Sequence, residues 1–411
     1  MRISKLTVLY IAAASLLAQP SPSPEARTRQ VLDLFVAGHY DAIYAMFTTE
    51  MKNAISLDTY KTQASQIMTL GTPKADEPRV EIGSDATIVT IALHWPVVAL
   101  DFSVRWNKAG QIAGTWMAPH ASSNWQRPDY SKPDSFTERE VTVGSDDWKL
   151  PGTLDVPKGT GPFPAVVLVH GSGPNDRDES VGGVKVFRDL AEGLASRGVA
   201  VLRYEKRTKA YPAKCAADPD FTMTDETVID AVRAAALLRG EKDIDPRRVF
   251  VLGHSQGGYM IPRIAARDPK LAGVIAMAGN VRPLEVLIVE QMRYLASLQG
   301  QSTDVHVPDL HLPAHYLPDL KGYDPAAEAK KLGLPMLIMQ GGRDYQVTME
   351  DFALWKAALD GRTNVTLRAY PNLNHLFIAG EGKSTPAEYQ AAAHVAANVI
   401  DDLAAWIARP R

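Results

Sequence analysis

The residues with the clearest chemical meaning form the pentapeptide GHSQG at 253–257. A continuous apolar run precedes it and a helical pattern begins at Gln256, so Ser255 lies where a predicted strand meets a predicted helix. This context fits the G-x-S-x-G nucleophile turn, in which a tight bend pushes the serine hydroxyl out of the sheet. Glycine is needed on both sides because a side chain there would collide with neighbouring backbone. The alternative is an ordinary glycine-rich turn without chemistry.

A serine hydroxyl becomes a strong nucleophile only beside a base that a third group orients. Asp344 and His375 each follow a later predicted strand of the same sheet. Ligands of such a sheet bind at the carboxyl ends of its strands, so these loops lie at the same edge as Ser255. The order Ser, Asp, His therefore predicts a catalytic triad of Ser255, Asp344 and His375. Asp351 is the alternative acid, but the helical pattern around it predicts a surface position.

Acyl transfer also needs hydrogen-bond donors for the negatively charged oxygen of the tetrahedral intermediate. The predicted strand over 165–170 ends in a glycine-rich loop that can aim a backbone N–H group into the cleft. We assign this oxyanion hole to the backbone N–H groups of Ser172 and Gln256. His170 is interpreted as a residue that braces the loop, and a second base is the alternative.

Other chemically capable side chains have simpler interpretations. Cys215 is the single cysteine and lies in a polar loop without a nearby base, so we expect neither a nucleophilic role nor an internal disulfide. Three histidines invite a zinc site, but their spacing with intervening prolines is unlike a metal-binding helix, so we expect no metal; they are His306, His311 and His315. Arg177 could meet a substrate carboxylate, although an internal ion pair is favoured.

The elements that must position these residues alternate along the chain from residue 136 to 411. Apolar strands separated by helical segments predict an α/β fold with a mostly parallel, doubly wound sheet and helices on both faces. The segments EVTV and LPGTLDV, which come first, predict an antiparallel pair. The later strands are predicted over 165–170, 199–204, 248–253, 272–279, 334–341 and 364–371.

Residues 21–117 have a different pattern and predict a small α+β domain. Helical periodicity covers 25–70, and alternation with a period of two follows, which is typical of half-buried antiparallel strands. The predicted inward-facing strand residues are Val89, Ile91, Leu93, Trp95, Phe102, Val104 and Trp106. Residues 118–135 are rich in Pro, Ser and Asn, and we interpret them as a linker.

The N-terminus and the charge bear on location and partners. Arg2 and Lys5 precede an apolar run over 6–18, which predicts a signal peptide over 1–18 and a secreted or periplasmic protein. A membrane anchor is the alternative, but the run is shorter than the ~20 residues that span a bilayer, so we expect no stable anchor. The net charge of −3 and the lack of a basic stripe argue against nucleic acid as a partner.

Residues 136–411 resemble an α/β-hydrolase of the serine esterase and peptidase-like group. The motifs that carry the resemblance are HGSGPNDRD, LRYEKR, GHSQGG, QGGRDYQV and NLNHLF, in that order. The resemblance implies the same triad and a lid formed by an insertion at about 280–333. Related sequences carry glycine where this chain has Thr208, which leaves the role of that loop open. The 21–117 domain resembles the NTF2-like kind, and we interpret it as a packing or dimerising module.

These observations predict a secreted serine hydrolase that cleaves small carboxylic esters through an acyl-enzyme, without a cofactor. Peptide or amide hydrolysis and acyl transfer are alternatives on the same triad, and the chain lacks a clear pair of glutamates to anchor a peptide amine. An alternative of another class is a non-catalytic ligand-binding or dimerising protein with a degenerate hydrolase part. A homodimer is left open.

Overall fold

The computed structural model describes residues 22–68, 70–83, 85–95, 99–120, 125–145, 147–305 and 314–409. They form two compact units, which divide between Ala118 and Pro119. The predicted signal peptide over 1–18 lies outside the described residues. No helix of the described ranges has the length and apolar character needed to cross a bilayer.

The N-terminal unit consists of four helices followed by a five-stranded sheet. Its helices are α1 (Pro24–Val36), α2 (Tyr40–Ala45), α3 (Thr49–Ala54) and α4 (Leu57–Met68). Its strands are β1 (Lys74–Ala75), β2 (Arg79–Ile82), β3 (Ala86–His94), β4 (Ala99–Asn107) and β5 (Ile112–Pro119). The sheet has the order β1-β3-β4-β5, with β2 also paired to β3. β1, β2 and β4 all run antiparallel to β3.

The alternating strand residues pack against the helices, as the period of two predicts. All seven predicted inward-facing residues are buried. The indole N–H of Trp106 on β4 donates to the Thr28 hydroxyl on α1 over 2.8 Å. The Phe102 ring lies 5.6 Å from the Phe35 ring of α1, between ring centroids. The helices therefore cover one face of the sheet.

The second unit contains an eight-stranded sheet. Its strands are β6 (Phe136–Val143), β7 (Leu150–Pro157), β8 (Phe163–Val169), β11 (Ala200–Tyr204), β12 (Ile244–His254), β13 (Gly273–Met277), β14 (Met336–Gly341) and β15 (Val365–Tyr370), and a separate hairpin comprises β9 (Ser180–Val181) and β10 (Val184–Lys185). The strand order is β15-β14-β13-β12-β8-β11-β7-β6. The six strands from β15 to β11 pair in parallel, and β7 and β6 join antiparallel. The predicted parallel sheet and its antiparallel pair are both confirmed.

Helices cover both faces of this sheet and enclose two apolar clusters. The helices are α5 (Val186–Ala195), α6 (Arg207–Ala210), α7 (Pro212–Ala217), α8 (Asp230–Arg239), α9 (Gln256–Arg267), α10 (Leu284–Leu298), α11 (Pro325–Lys330), α12 (Met349–Ala358) and α13 (Ala397–Ala408). β8 is apolar throughout, and β12 is apolar over 249–252, where these two central strands are buried on both faces.

Candidate active site

Ser255 follows β12 directly and precedes α9, in the position that the sequence predicts. Its φ of 52° and ψ of −116° are unusual for a residue with a side chain, and its N–H donates to the Met277 carbonyl over 2.9 Å. A Cβ on Gly253 would lie 2.2 Å from the Gly257 carbonyl oxygen, and one on Gly257 would lie 2.2 Å from that of Val169. Both glycines are therefore required by the turn that presents the hydroxyl.

Asp344 and His375 follow β14 and β15 and contact each other. His375 Nδ1–H donates to Asp344 Oδ2 over 2.7 Å, which leaves Nε2 of the ring as the proton acceptor. The carboxylate also accepts the N–H groups of Gln346 (2.8 Å) and Val347 (3.0 Å), and the side-chain amide of Gln340 (2.9 Å). Since both side chains of the pair are buried, it is held in place before any substrate arrives.

The loop that carries His375 is fixed through its backbone. His254 Nε2–H, from the residue before Ser255, donates to the His375 carbonyl over 3.0 Å. The Asn374 side-chain oxygen accepts the N–H groups of Leu376 and Ile378, each over 3.1 Å. The turn that carries Ser255 and the loop that carries His375 are thus tied together without using the side chain of either residue.

Glu179 is a site residue that sequence reasoning missed. One of its carboxylate oxygens accepts the Gly171 N–H over 2.6 Å, and the other lies 3.0 Å from His254 Nδ1. Burial opposes a charge on His254, but the neighbouring carboxylate outweighs burial and raises the pKa of His254 above its usual value. No sequence pattern marks Glu179, because its partners are brought to it only by the fold.

The residues that carry the two predicted oxyanion donors line the same cavity as Ser255. Ser172 lies in the loop after β8, and Gln256 is the first residue of α9, whose amide-rich end carries partial positive charge. Neither backbone N–H makes a hydrogen bond to another residue of the described ranges. Both amides are therefore free to meet a substrate oxygen, and their role stays a prediction.

The cavity above Ser255 has a volume of about 400 Å³. His375 and Ser172 line its polar side. Its apolar side is formed by residues of α10, namely Leu284, Leu287 and Ile288. This helix belongs to the insertion at about 280–333, which the family resemblance predicts to be a lid. A small apolar group fits this space beside the polar rim.

The structure supports the simpler interpretations of three further side chains that the sequence analysis considered for catalysis or binding. His170 Nε2–H donates to the Asp176 carbonyl over 3.0 Å, as expected of a bracing residue. Burial raises the pKa of the Cys215 thiol to about 11, so the thiol stays protonated at neutral pH and is a poor nucleophile. The Arg177 guanidinium pairs with Glu140 (2.8 Å) and Glu205 (2.9 Å), which confirms the favoured internal ion pair.

The prediction of a surface position for Asp351 was wrong. Its side chain is fully buried at the start of α12. It accepts the N–H groups of Val281 (2.8 Å) and Arg282 (3.0 Å) and pairs with the Arg282 guanidinium at 2.8 Å. The Asp351 carboxylate thus has its hydrogen-bond partners at the start of the insertion, whereas the Asp344 carboxylate contacts His375.

The structure gives little support to a zinc site at the three histidines. His315 is exposed and lies 3.5 Å from Asp220, and His306 and His311 lie outside the described residues. No group of three His, Cys, Asp or Glu side chains suited to a metal is found in the ranges that the structure describes.

Comparisons with known proteins identify relatives of this chain. The sequence profile of the prolyl oligopeptidase family matches residues 187–402, which is more than half of the chain. Esterase EstD of Thermotoga maritima is 44% identical over 324 residues, which cover 74% of this chain and 76% of the relative. The solved Pyrococcus furiosus esterase Pf2001 matches with a TM-score of 0.45 and 18% identity, over 70% of this chain and 97% of its own. A puromycin-hydrolyzing peptidase of Mycobacterium tuberculosis matches with a TM-score of 0.46 and 16% identity, over 78% of this chain and 45% of its own.

The family match and the relative at 44% identity confirm the resemblance to serine esterases and peptidases that the motifs indicate. The predicted fold class is confirmed as well, with a small α+β domain before the mostly parallel sheet. The NTF2-like nature of that domain stays a prediction. This chain therefore belongs to the prolyl oligopeptidase family and has the α/β-hydrolase fold.

Proposed function

We propose that this protein is a serine carboxylic ester hydrolase whose triad is Ser255, His375 and Asp344. One observation carries the proposal: the 2.7 Å contact between His375 and Asp344, with His375 lining the same cavity as Ser255. The esterase relative at 44% identity supports an ester as the substrate. The substrate class is a small-molecule ester with an acyl group that fits the apolar side of the cavity.

The mechanism follows from the orientation of the histidine. His375 Nε2 takes the proton of the Ser255 hydroxyl as Oγ attacks the ester carbonyl, and Asp344 stabilises the imidazolium. The N–H groups of Ser172 and Gln256 bind the oxyanion. The leaving alkoxide receives the proton from His375, and water then repeats the sequence to release the acid. These steps need no cofactor.

Replacement of the nucleophile tests this function. We expect Ser255→Ala to lower kcat for p-nitrophenyl butyrate by about 10⁴-fold or more, because no other group replaces the attacking oxygen. A fluorophosphonate should label the parent at Ser255 and leave the variant unlabelled, as peptide mapping will reveal. Ser65→Ala, at an exposed position of the N-terminal unit, is the matched control with parental activity. Equal rates for the parent and Ser255→Ala would instead support a non-catalytic scaffold.

Hydrolysis of amides or peptides and acyl transfer are the alternatives on the same triad. The family match covers peptidases by name, so this alternative has a specific basis. An ester and an anilide with the same acyl group separate the two. A higher kcat/KM on the anilide would replace the ester proposal with a peptidase or amidase.

We also propose export of the protein, with a signal peptide over 1–18, an NTF2-like domain over 21–117 and a hydrolase domain over 136–411, which follows the segment 118–135 that composition predicts as a linker. N-terminal sequencing of the protein recovered from its host tests the cleavage. An intact Met1 would contradict it. Light scattering of the purified chain decides whether it forms a homodimer.

A further inference from the structure

A buried ion pair lies directly behind the predicted oxyanion hole. Lys206, in the loop after β11, is 2% exposed, and Glu226 is 5% exposed. The Lys206 ammonium lies 3.2 Å from Glu226 Oε1. Lysine is almost never fully buried unless it is paired, and burying an ion pair seldom adds stability by itself. The pair therefore calls for an explanation beyond folding.

The ammonium of Lys206 contacts the peptide group that carries one oxyanion donor. Its Nζ donates to the Gly171 carbonyl oxygen over 2.7 Å. That carbonyl and the Ser172 N–H belong to the same planar trans peptide, so they point in opposite directions. A cation on the oxygen fixes the direction of the N–H. It also draws electron density from the peptide, which makes the N–H a stronger donor.

The carboxylate of Glu226 reaches the residue that carries the other donor. Glu226 Oε2 accepts the Gln256 side-chain amide over 2.9 Å, while Oε1 faces Lys206. The Thr208 hydroxyl donates to Oε1 over 2.7 Å, which gives a function to the threonine that stands where related sequences carry glycine. Tyr316, from the insertion, donates its hydroxyl to the same carboxylate. The Lys206–Glu226 pair thus links the two predicted oxyanion donors. Lys206 contacts the Gly171–Ser172 peptide, and Glu226 contacts the side chain of Gln256.

Glu226 stays ionised in this setting. Burial alone would raise the pKa of its carboxyl, but the Lys206 charge and the hydrogen bonds that the carboxylate accepts hold that pKa below its usual value.

We propose that Lys206 is a positioning residue of the oxyanion hole, which holds and polarises the Gly171–Ser172 peptide while Glu226 links it to Gln256. This inference rests on the proposed hydrolase function. Lys206 acts on the transition state, in which the substrate oxygen becomes negatively charged, and has little effect on the neutral bound ester.

Lys206→Met tests the inference, because methionine keeps much of the length of the side chain and removes its charge and donors. For p-nitrophenyl butyrate in the full chain, we expect kcat to fall by about 10- to 100-fold and KM to change less than about twofold. A trifluoromethyl ketone, which Ser255 converts into a hemiketal oxyanion, should lose affinity in the same proportion. Lys214→Met is the matched control, because Lys214 also donates to a backbone carbonyl, that of Asp147 over 3.0 Å, outside the cavity lining.

A double variant separates this role from a structural one. Lys206→Met alone leaves the Glu226 carboxylate buried without its cation, so it lowers the melting temperature. Lys206→Met/Glu226→Gln removes both charges, and we expect it to regain much of the melting temperature but not kcat. If kcat and ketone affinity return together with stability, or if folded Lys206→Met keeps parental values, the inference is wrong.

The outcome is separable from a failure of the proposed function. An active Ser255→Ala would overturn the hydrolase proposal and this inference with it. An inactive Ser255→Ala beside a fully active Lys206→Met would overturn this inference alone.

Discussion

At the scale of single residues, the site holds charged and neutral groups side by side in a buried setting. His170 is the neutral one: burial, aided by the nearby Lys206 charge, lowers its pKa to about 4. Its ring packs against Phe187 at 4.9 Å and Tyr204 at 5.4 Å, between centroids. An uncharged brace beside Gly171 suits this position, because a second cation there would repel the Lys206 ammonium.

The depressed pKa of His170 predicts a dependence of stability on pH. The unfolded chain binds a proton at this histidine below about pH 6.5, whereas the folded chain does so only below about pH 4, so acid favours unfolding within that window. At pH 7 we expect His170→Phe to have a free energy of unfolding about 1 kcal/mol lower than that of the parent, because it lacks the hydrogen bond to the Asp176 carbonyl. Between pH 7 and pH 4.5, however, it should lose about 2–3 kcal/mol less stability than the parent.

Urea unfolding of the parent and of His170→Phe at these two pH values measures the difference. Equal losses of unfolding free energy in the two proteins would show that His170 is not kept neutral by the fold. Far-UV circular dichroism at each pH controls for a change in the folded state.

At the scale of elements, α10 sets the apolar side of the cavity. Leu287 is buried and lines the cavity, while Val286 on the same helix is 41% exposed. An acyl chain bound above Ser255 would contact this inner face, and each methylene that it buries contributes about 0.8 kcal/mol. We therefore expect the inner face of α10 to set the preference for acyl chain length.

Leu287→Ala should shift substrate preference toward longer acyl chains, because it enlarges the cavity next to the acyl group. We expect the ratio of kcat/KM for p-nitrophenyl octanoate over butyrate to rise about three- to tenfold, with a stability loss of about 2–3 kcal/mol. Val286→Ala, on the exposed face, is the matched control and should keep the parental ratio. A ratio that is unchanged in Leu287→Ala would place the acyl group elsewhere in the cavity.

Elements are also where the sequence was most informative. Apolar runs and their periods depend on local residues, so the strands and their parallel or antiparallel grouping could be predicted. Burial of a particular polar side chain depends on distant partners instead. Asp351 was misjudged because its helical pattern does not reveal Val281 and Arg282, which are brought to α12 by the tertiary fold. The same reason hid Glu179, Lys206 and Glu226.

At the scale of the whole molecule, the hydrolase unit includes more of the chain than its strands suggest. Within the predicted linker, the Trp125 indole N–H donates to Asp189 over 2.9 Å. Arg127 and Ser131 both contact Glu192. Asp189 and Glu192 are fully buried on α5. Composition suggested a linker because Pro, Ser and Asn are common in loops, but composition does not reveal that Trp125, Arg127 and Ser131 contact buried carboxylates.

Two truncations test where the catalytic unit begins. A chain of residues 119–411 keeps the contacts to Asp189 and Glu192, the two apolar clusters and every proposed site residue. We expect it to fold and to hydrolyse p-nitrophenyl butyrate with kcat/KM within about threefold of the full chain. A chain of residues 136–411 leaves the buried Glu192 without Arg127 and Ser131, which should lower stability by about 3–5 kcal/mol.

Thermal unfolding and activity of the two truncated chains provide the comparison. Arg127→Met in the full chain removes one of the same contacts without shortening the protein, and should reproduce part of the loss. If 119–411 folds but is inactive, the N-terminal unit takes part in catalysis and is more than a packing module. If 136–411 is as stable as 119–411, the segment from Trp125 to Ser131 acts as a linker, and the buried carboxylates on α5 are satisfied by Arg188 and His394, which also contact them.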